Sequence, residues 1–247
     1  MRSLVSARRL RQAAFALGLS ALSATSLLAM QGPQAADVTD SDVTASNAKV
    51  KMAYEALVSM WSTEFQSVGQ RFQAPSILRY RGNVMTPCGA MPANNALYCP
   101  QRNTIYFDDI FVARQAKAAA QSLGTDGDMA AVGIIAHEMG HAAAMQLGET
   151  SEIPYENEAV ADCLAGAFAL QSQKDGSLEK GDLEEAFFGL AAAGDPTPQF
   201  TGNRRIDRQI ALRAQYLGHG TRDQRLANFN QGFKGGVGSC LDTFHHQ

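Results

Sequence analysis

None of the four cysteines in this 247-residue chain stands in a Cys-x-x-Cys pair. That absence makes a thiolate zinc site the poorer reading of them. The chain also lacks a basic excess: 21 Lys and Arg face 24 Asp and Glu, a formal net charge of −3. Four of the arginines fall in the first 36 residues, which carry no acid, so 17 basic and 24 acidic residues remain beyond them, a net of −7. Such a chain has no electrostatic footprint for nucleic acid or anionic lipid. Internal repeats and low-complexity tracts are missing too. What is present is apolar material, 45% of the residues, enough to bury the core of one full domain.

The first 36 residues stand apart. Arg2, Arg8, Arg9 and Arg11 precede an apolar run over residues 13–30. This is the charged and apolar order of a secretory signal peptide, with small residues at Ala35 and Ala36 near the expected cleavage. The run is broken by serines and Thr25 and is marginal for spanning, so an uncleaved anchor is the alternative. Export to the periplasm or cell surface follows, with no stable membrane association once the signal is removed. In an oxidising compartment Cys88, Cys99, Cys163 and Cys240 suggest two disulfides, with three pairings open.

Residues 37–47 (DVTDSDVTASN) are polar and are expected to form a flexible leader, which places the domain at 48–247. Apolar residues then recur at helical spacing through Val50, Leu57, Trp61, Phe65 and Phe72, predicting one amphipathic helix over 48–72. Residues 81–100, punctuated by Gly82, Pro87, Gly89 and Pro92, read as loop and turn. The segment 103–109 (NTIYFDD) reads as a strand. Helices are expected over 109–123, 128–147 with Gly148 as its C-cap, 155–173, 178–193, 203–217 and 221–233. The last should end at Gly235 and Gly236, and His245-His246 should be a flexible tail. The class is mainly helical, α+β, with a small sheet.

The helix expected at 128–147 is almost wholly apolar, yet it carries His137, Glu138 and His141. Residues i and i+4 of a helix share a face, so the two imidazoles aim at one point while Glu138 flanks it. His-Glu-x-x-His is the pattern of two zinc ligands with a glutamate general base. A catalytic zinc needs a third protein ligand. Sixteen residues after His141 the stretch NEAVADCLAG begins, and it holds Glu158 and Asp162 at the same helical spacing. Ala159, Val160, Ala161 and Ala165 leave these carboxylates no polar face, so a buried cation is the economical explanation. Glu158 then reads as the third ligand, and Asp162 as the acceptor of a ligand histidine's other N–H.

These motifs resemble those of the gluzincins, the thermolysin-like zinc peptidases. A closer similarity is to a bacterial family of neutral zinc metallopeptidases, carried by AHEMGH (136–141), EAVADCLAG (158–166) and HGTRDQRLANFNQGF (219–233). LYCPQRNTIYFD (97–108) and CLDTF (240–244) add to it. The resemblance implies a zincin-like metallopeptidase domain with two central zinc-binding helices, a Zn²⁺ cofactor and a peptide or protein substrate. It implies that Glu138 takes a proton from zinc-activated water and that His219 or Tyr155 helps hold the oxyanion. The other reading of His219 ends a loop before a capping box, with Thr221 as N-cap and Gln224 three residues on. In zincins an edge strand before the active helix binds substrate, which would be TIYFD here unless that is a core strand. Cys88 and Cys99 bracket one loop, and Cys163 and Cys240 would tie the chain's end to the ligand helix, so those pairs are expected. Two rivals stay open: a non-catalytic zinc protein on the same fold, against which Glu138 argues, and an amidase acting on cell-wall peptides.

Overall fold

The computed structural model describes residues 37–241. The expected signal segment and the His245-His246 tail lie outside them. The order is α1 (Asp40–Ser67), β1 (Ser76–Tyr80), β2 (Val84–Thr86), β3 (Gly89–Met91), β4 (Ala96–Cys99), β5 (Thr104–Asp108), α2 (Asp109–Leu123), α3 (Asp128–Leu147), α4 (Pro154–Lys174), α5 (Asp182–Ala192), α6 (Arg204–Leu217) and α7 (Arg222–Leu241). The protein is mainly helical with a small sheet, the α+β arrangement expected of a zincin-like domain.

The first helix corrects the sequence reading at both ends. Residues 40–47 are not a flexible leader but its first turns, because Thr39 and Asp42 form a reciprocal capping box. Val43, Val50, Leu57, Trp61 and Phe65 then form its buried stripe. The helix stops at Ser67 rather than running to Phe72. Gly69 turns with φ +72°, and Phe72 folds back to lie 5.0 Å from the Phe65 ring.

The segment 81–100 is not loop alone, since it holds β2, β3 and β4, and β1 precedes it. Three strands form the main sheet in the order β1–β5–β4, with β1 parallel and β4 antiparallel to β5. The expected strand TIYFD is therefore the central one, and β4 is an edge.

Helix α3 is buried on nearly every side and packs against α1, α2, α4 and α5. Its N-cap, Gly127, has no side chain to offer. Glu185 of α5 reaches across instead and accepts from the N–H groups of Gly127 and Met129 at 2.9 and 2.8 Å. Close crossing needs small residues: a Cβ on Gly140 would lie 2.9 Å from the Ala161 carbonyl oxygen of α4. Helix α4 is held in turn by α7, where a Cβ on Gly232 would lie 1.7 Å from the Cys163 carbonyl oxygen. Cys163–Cys240 ties the same two helices, and Cys88–Cys99 closes the loop before β5, so both expected pairs form. Helix α7 breaks at Gly236 as expected, then resumes to Leu241 because that disulfide holds its last turn. Among the described residues no helix is long and apolar enough to cross a membrane.

Candidate metal centre

The close α3–α4 crossing sets His137 and His141 against Glu158. The two imidazole Nε2 atoms are 3.2 Å apart, and Glu158 oxygens lie 3.1 Å from His137 Nε2 and 3.5 Å from His141 Nε2. Zinc bonded at 2.0–2.1 Å in a tetrahedron separates its ligands by about 3.3–3.4 Å. The two imidazoles and the Glu158 carboxylate are spaced for that centre, each histidine facing a different carboxylate oxygen.

Their surroundings ask for a cation. His137 Nδ1 lies 2.8 Å from Asp162 Oδ1, which fixes its N–H there and aims the Nε2 lone pair at Glu158. The contact with Glu158 Oε2 is close but lacks hydrogen-bond geometry, so that buried oxygen has no donor. Charge counting agrees. Glu138, Glu158 and Asp162 bring three carboxylates to the site, and Arg225 brings one guanidinium, leaving two charges for a divalent ion to balance. Without a metal, protons take that place. Burial works against charge on His137, but the Asp162 and Glu158 carboxylates push its pKa up to about 10. Burial likewise opposes the charge on Glu158, yet His137 and His141 hold it below the usual carboxylate range.

Glu138 stands beside this triad without joining it. It is 7% exposed, and its Oε2 accepts the Tyr98 backbone N–H of β4 at 2.7 Å. Glu138 and the triad face a cleft of about 360 Å³ between β4, α3, α5 and the start of α7. The model of the family described as "Putative neutral zinc metallopeptidase" matches residues 10–244. The chain belongs to this family. Two relatives of this chain are the YpfJ proteins of Escherichia coli K12 and E. coli O6:H1 strain CFT073, both described as uncharacterized. Each is 33% identical over 200 residues. The match covers 74% of this chain and 66% of theirs, so the chain spans just under two thirds of those relatives. No solved structure matches it.

The remaining expected residues fall at different depths. His219 is exposed on the cleft rim, with Nδ1 3.9 Å from Asp195 Oδ1. The capping box also forms, since Thr221 N–H donates to Gln224 at 2.9 Å and Gln224 N–H to Thr221 at 3.4 Å. The two readings of His219 are thus compatible. Tyr155 lines a separate cavity of about 810 Å³, and its ring backs Gly220, where an added Cβ would meet it at 2.7 Å. It stands behind the segment that carries His219 and does not line the metal cleft.

Two contributors escaped the sequence. One is the Tyr98 N–H, a backbone group invisible to motif reasoning. The other is Arg225, 4% exposed, whose Nε and Nη2 donate to Asp162 at 2.9 and 2.6 Å. Its signal was the unanswered charge: two carboxylates on a helix of small apolar residues are more than one metal ligand set explains.

Proposed function

We propose that this protein is an exported zinc peptidase whose general base is Glu138. The observation that carries the reading is the cluster of His137, His141 and Glu158, whose nearest nitrogen and oxygen atoms approach within 3.1–3.5 Å, beside a glutamate outside the cluster. Zinc held by His137, His141 and Glu158 would supply a Lewis acid that lowers the pKa of a bound water toward about 7 and polarises a carbonyl. Glu138 takes the proton of the attacking water and returns it to the leaving amine. The Tyr98 N–H holds one of its oxygens and leaves the other for that transfer.

Strand β4 orients the substrate. The Asp108 N–H donates to the Asn95 carbonyl, and Ala96 pairs with Phe107. Antiparallel alternation then turns the backbone of Leu97 toward β5 and that of Ala96 and Tyr98 outward. The Tyr98 contact with Glu138 agrees with this direction. An extended peptide can add to the Ala96 edge and lay its carbonyl beside Glu138. His219 on the rim donates to the developing oxyanion. Export rests on the basic and apolar opening of the chain and on its two disulfides.

Zinc analysis of the mature chain, run beside a peptide-library digest, tests this. Wild type should hold one zinc and cleave peptides. Glu138→Gln should hold the same zinc and lose about 10²–10⁴ in rate. An equally active Glu138→Gln protein would refute the mechanism, and full zinc occupancy in a His137→Ala, His141→Ala double variant would refute the site.

A further inference from the structure

We propose that Arg225 is a positioning residue that sets metal ligand His137 and the substrate wall of the cleft together, an assignment that rests on the zinc-site reading above. Its guanidinium grips both oxygens of Asp162, Nε on Oδ2 at 2.9 Å and Nη2 on Oδ1 at 2.6 Å. The same Oδ1 lies 2.8 Å from His137 Nδ1. A two-point fork fixes the plane of a carboxylate as a single bond cannot. With its plane fixed, Asp162 presents Oδ1 to the imidazole in one direction, and the ring's Nε2 is aimed by consequence.

The third contact leads elsewhere. Arg225 Nη1 donates to the Ala193 carbonyl at 3.2 Å, at the C-terminus of α5 where Ala192 and Ala193 line the cleft. Two residues on, the Asp195 N–H donates to the Gly220 carbonyl at 2.8 Å, and the Gly220 N–H returns to Asp195 Oδ2 at 3.1 Å. That bridge carries His219. One side chain therefore joins the metal ligand to the segment that borders the substrate.

Stability alone does not account for this pair. Helices α4 and α7 already meet with backbone in contact at Gly166 and Gly232 and are joined by Cys163–Cys240. A buried ion pair adds little net stability over apolar residues of similar volume, because both charges lose their water. Asp162 is fully buried and Arg225 nearly so. The charges earn their place through what else they touch, the ligand imidazole on one side and the cleft wall on the other.

The test uses the full exported chain, stripped of metal and titrated with zinc against a chromophoric chelator, then loaded with cobalt for its visible spectrum. Arg225→Lys keeps the charge and loses the fork. Phe229→Leu, one turn further along the buried face of the same helix and outside the cleft lining, serves as a matched loss of packing. Arg225→Lys should weaken zinc binding about 10- to 100-fold and shift the cobalt bands, with Phe229→Leu at the wild-type values for both. In wild type, zinc should also slow hydrogen exchange at the Asp195 and Gly220 amides severalfold, a measurement that needs no variant to fold. Wild-type affinity and spectrum in Arg225→Lys would overturn the assignment, as would equal weakening by Phe229→Leu or exchange at those amides indifferent to zinc. A wild-type chain that binds no zinc would overturn the metal-site reading itself, and this assignment with it.

Discussion

The wall of the metal cleft and the wall of the neighbouring Tyr155 cavity are built by opposite means. On one side α3, α4 and α7 cross at backbone contact, share a disulfide and bury Asp162 and Arg225 almost completely. On the other, the segment 195–217 runs through α6, a helix with no buried residue among those described and with Ile206, Leu212 and Tyr216 exposed, after an exposed Phe200. Metal ligands must stay within a few tenths of an ångström of their geometry, which favours the first construction. A wall that carries none of the clustered His137, His141 and Glu158 needs no such rigidity, and loosely held elements are where motions arise. The contrast sets a rigid wall at the candidate metal centre against a loose one at the neighbouring cavity.

The largest break in that contrast should come from Gly232→Ala. Its methyl would sit 1.7 Å from the Cys163 carbonyl oxygen, so two backbones must part while a disulfide holds them. A loss on the order of 5 kcal/mol is expected, at the upper end for overpacking, with zinc lost at the same denaturant midpoint. A variant that melts near wild type would show the rigid wall to be less rigid than its contacts imply.

The paired change Cys163→Ala, Cys240→Ala comes next. The bridge closes a separation of 77 residues, worth about 4 kcal/mol in the chain-entropy model. If the α4–α7 contact carries its own weight, the variant still folds and binds zinc, only at lower denaturant midpoint. Loss of the metal from a chain that remains folded would mean that the disulfide places Glu158 directly.

How legible each wall was follows from the same physics. Helices α2 and α3 match their expected bounds because both ends carry local signals: Asp108 caps α2, and Gly124 and Gly148 turn left-handed at the exits. The cluster of His137, His141 and Glu158 was legible because i and i+4 spacing is itself local, and an Asp162 contact to one of the two histidines followed from it, which the structure makes to His137. The short strands were not, since three or four residues between turns carry too little alternation to be told from loop. Nor was the identity of the edge strand. TIYFD has a strong β composition because it is the central, buried strand, and the strand that borders the cleft is the weaker ALYC. Arg225 lies 63 residues from Asp162, a separation that no local pattern spans.

His219→Ala probes where the walls meet. Removing one oxyanion donor typically costs about 2.7–4 kcal/mol of barrier, or ~10²–10³ in kcat, with ground-state binding little changed. His219 is 62% exposed and makes only a 3.9 Å approach to Asp195, so melting temperature and zinc content should hold. A kcat within about fivefold of wild type would leave the capping box as the whole meaning of the HGT segment.

The smallest effect should come from α6. Ile206 and Leu212 are 49% and 37% exposed, so replacing both with serine removes little apolar surface from water-free packing. Surface changes of this kind usually fall within about 0.5 kcal/mol each. The helix itself should persist, because Asn203 caps its first turn by accepting from Arg205 and Ile206 N–H. Denaturation should therefore track wild type closely, with zinc affinity unchanged, since neither residue touches α3, α4 or the start of α7 through any contact of the metal centre. A drop of 2 kcal/mol or more, beyond about 1 expected for the pair, would place α6 in the cooperative core. The loose wall would then be part of the rigid construction, and the boundary between the two would have to be drawn somewhere closer to the bridge at Asp195 and Gly220.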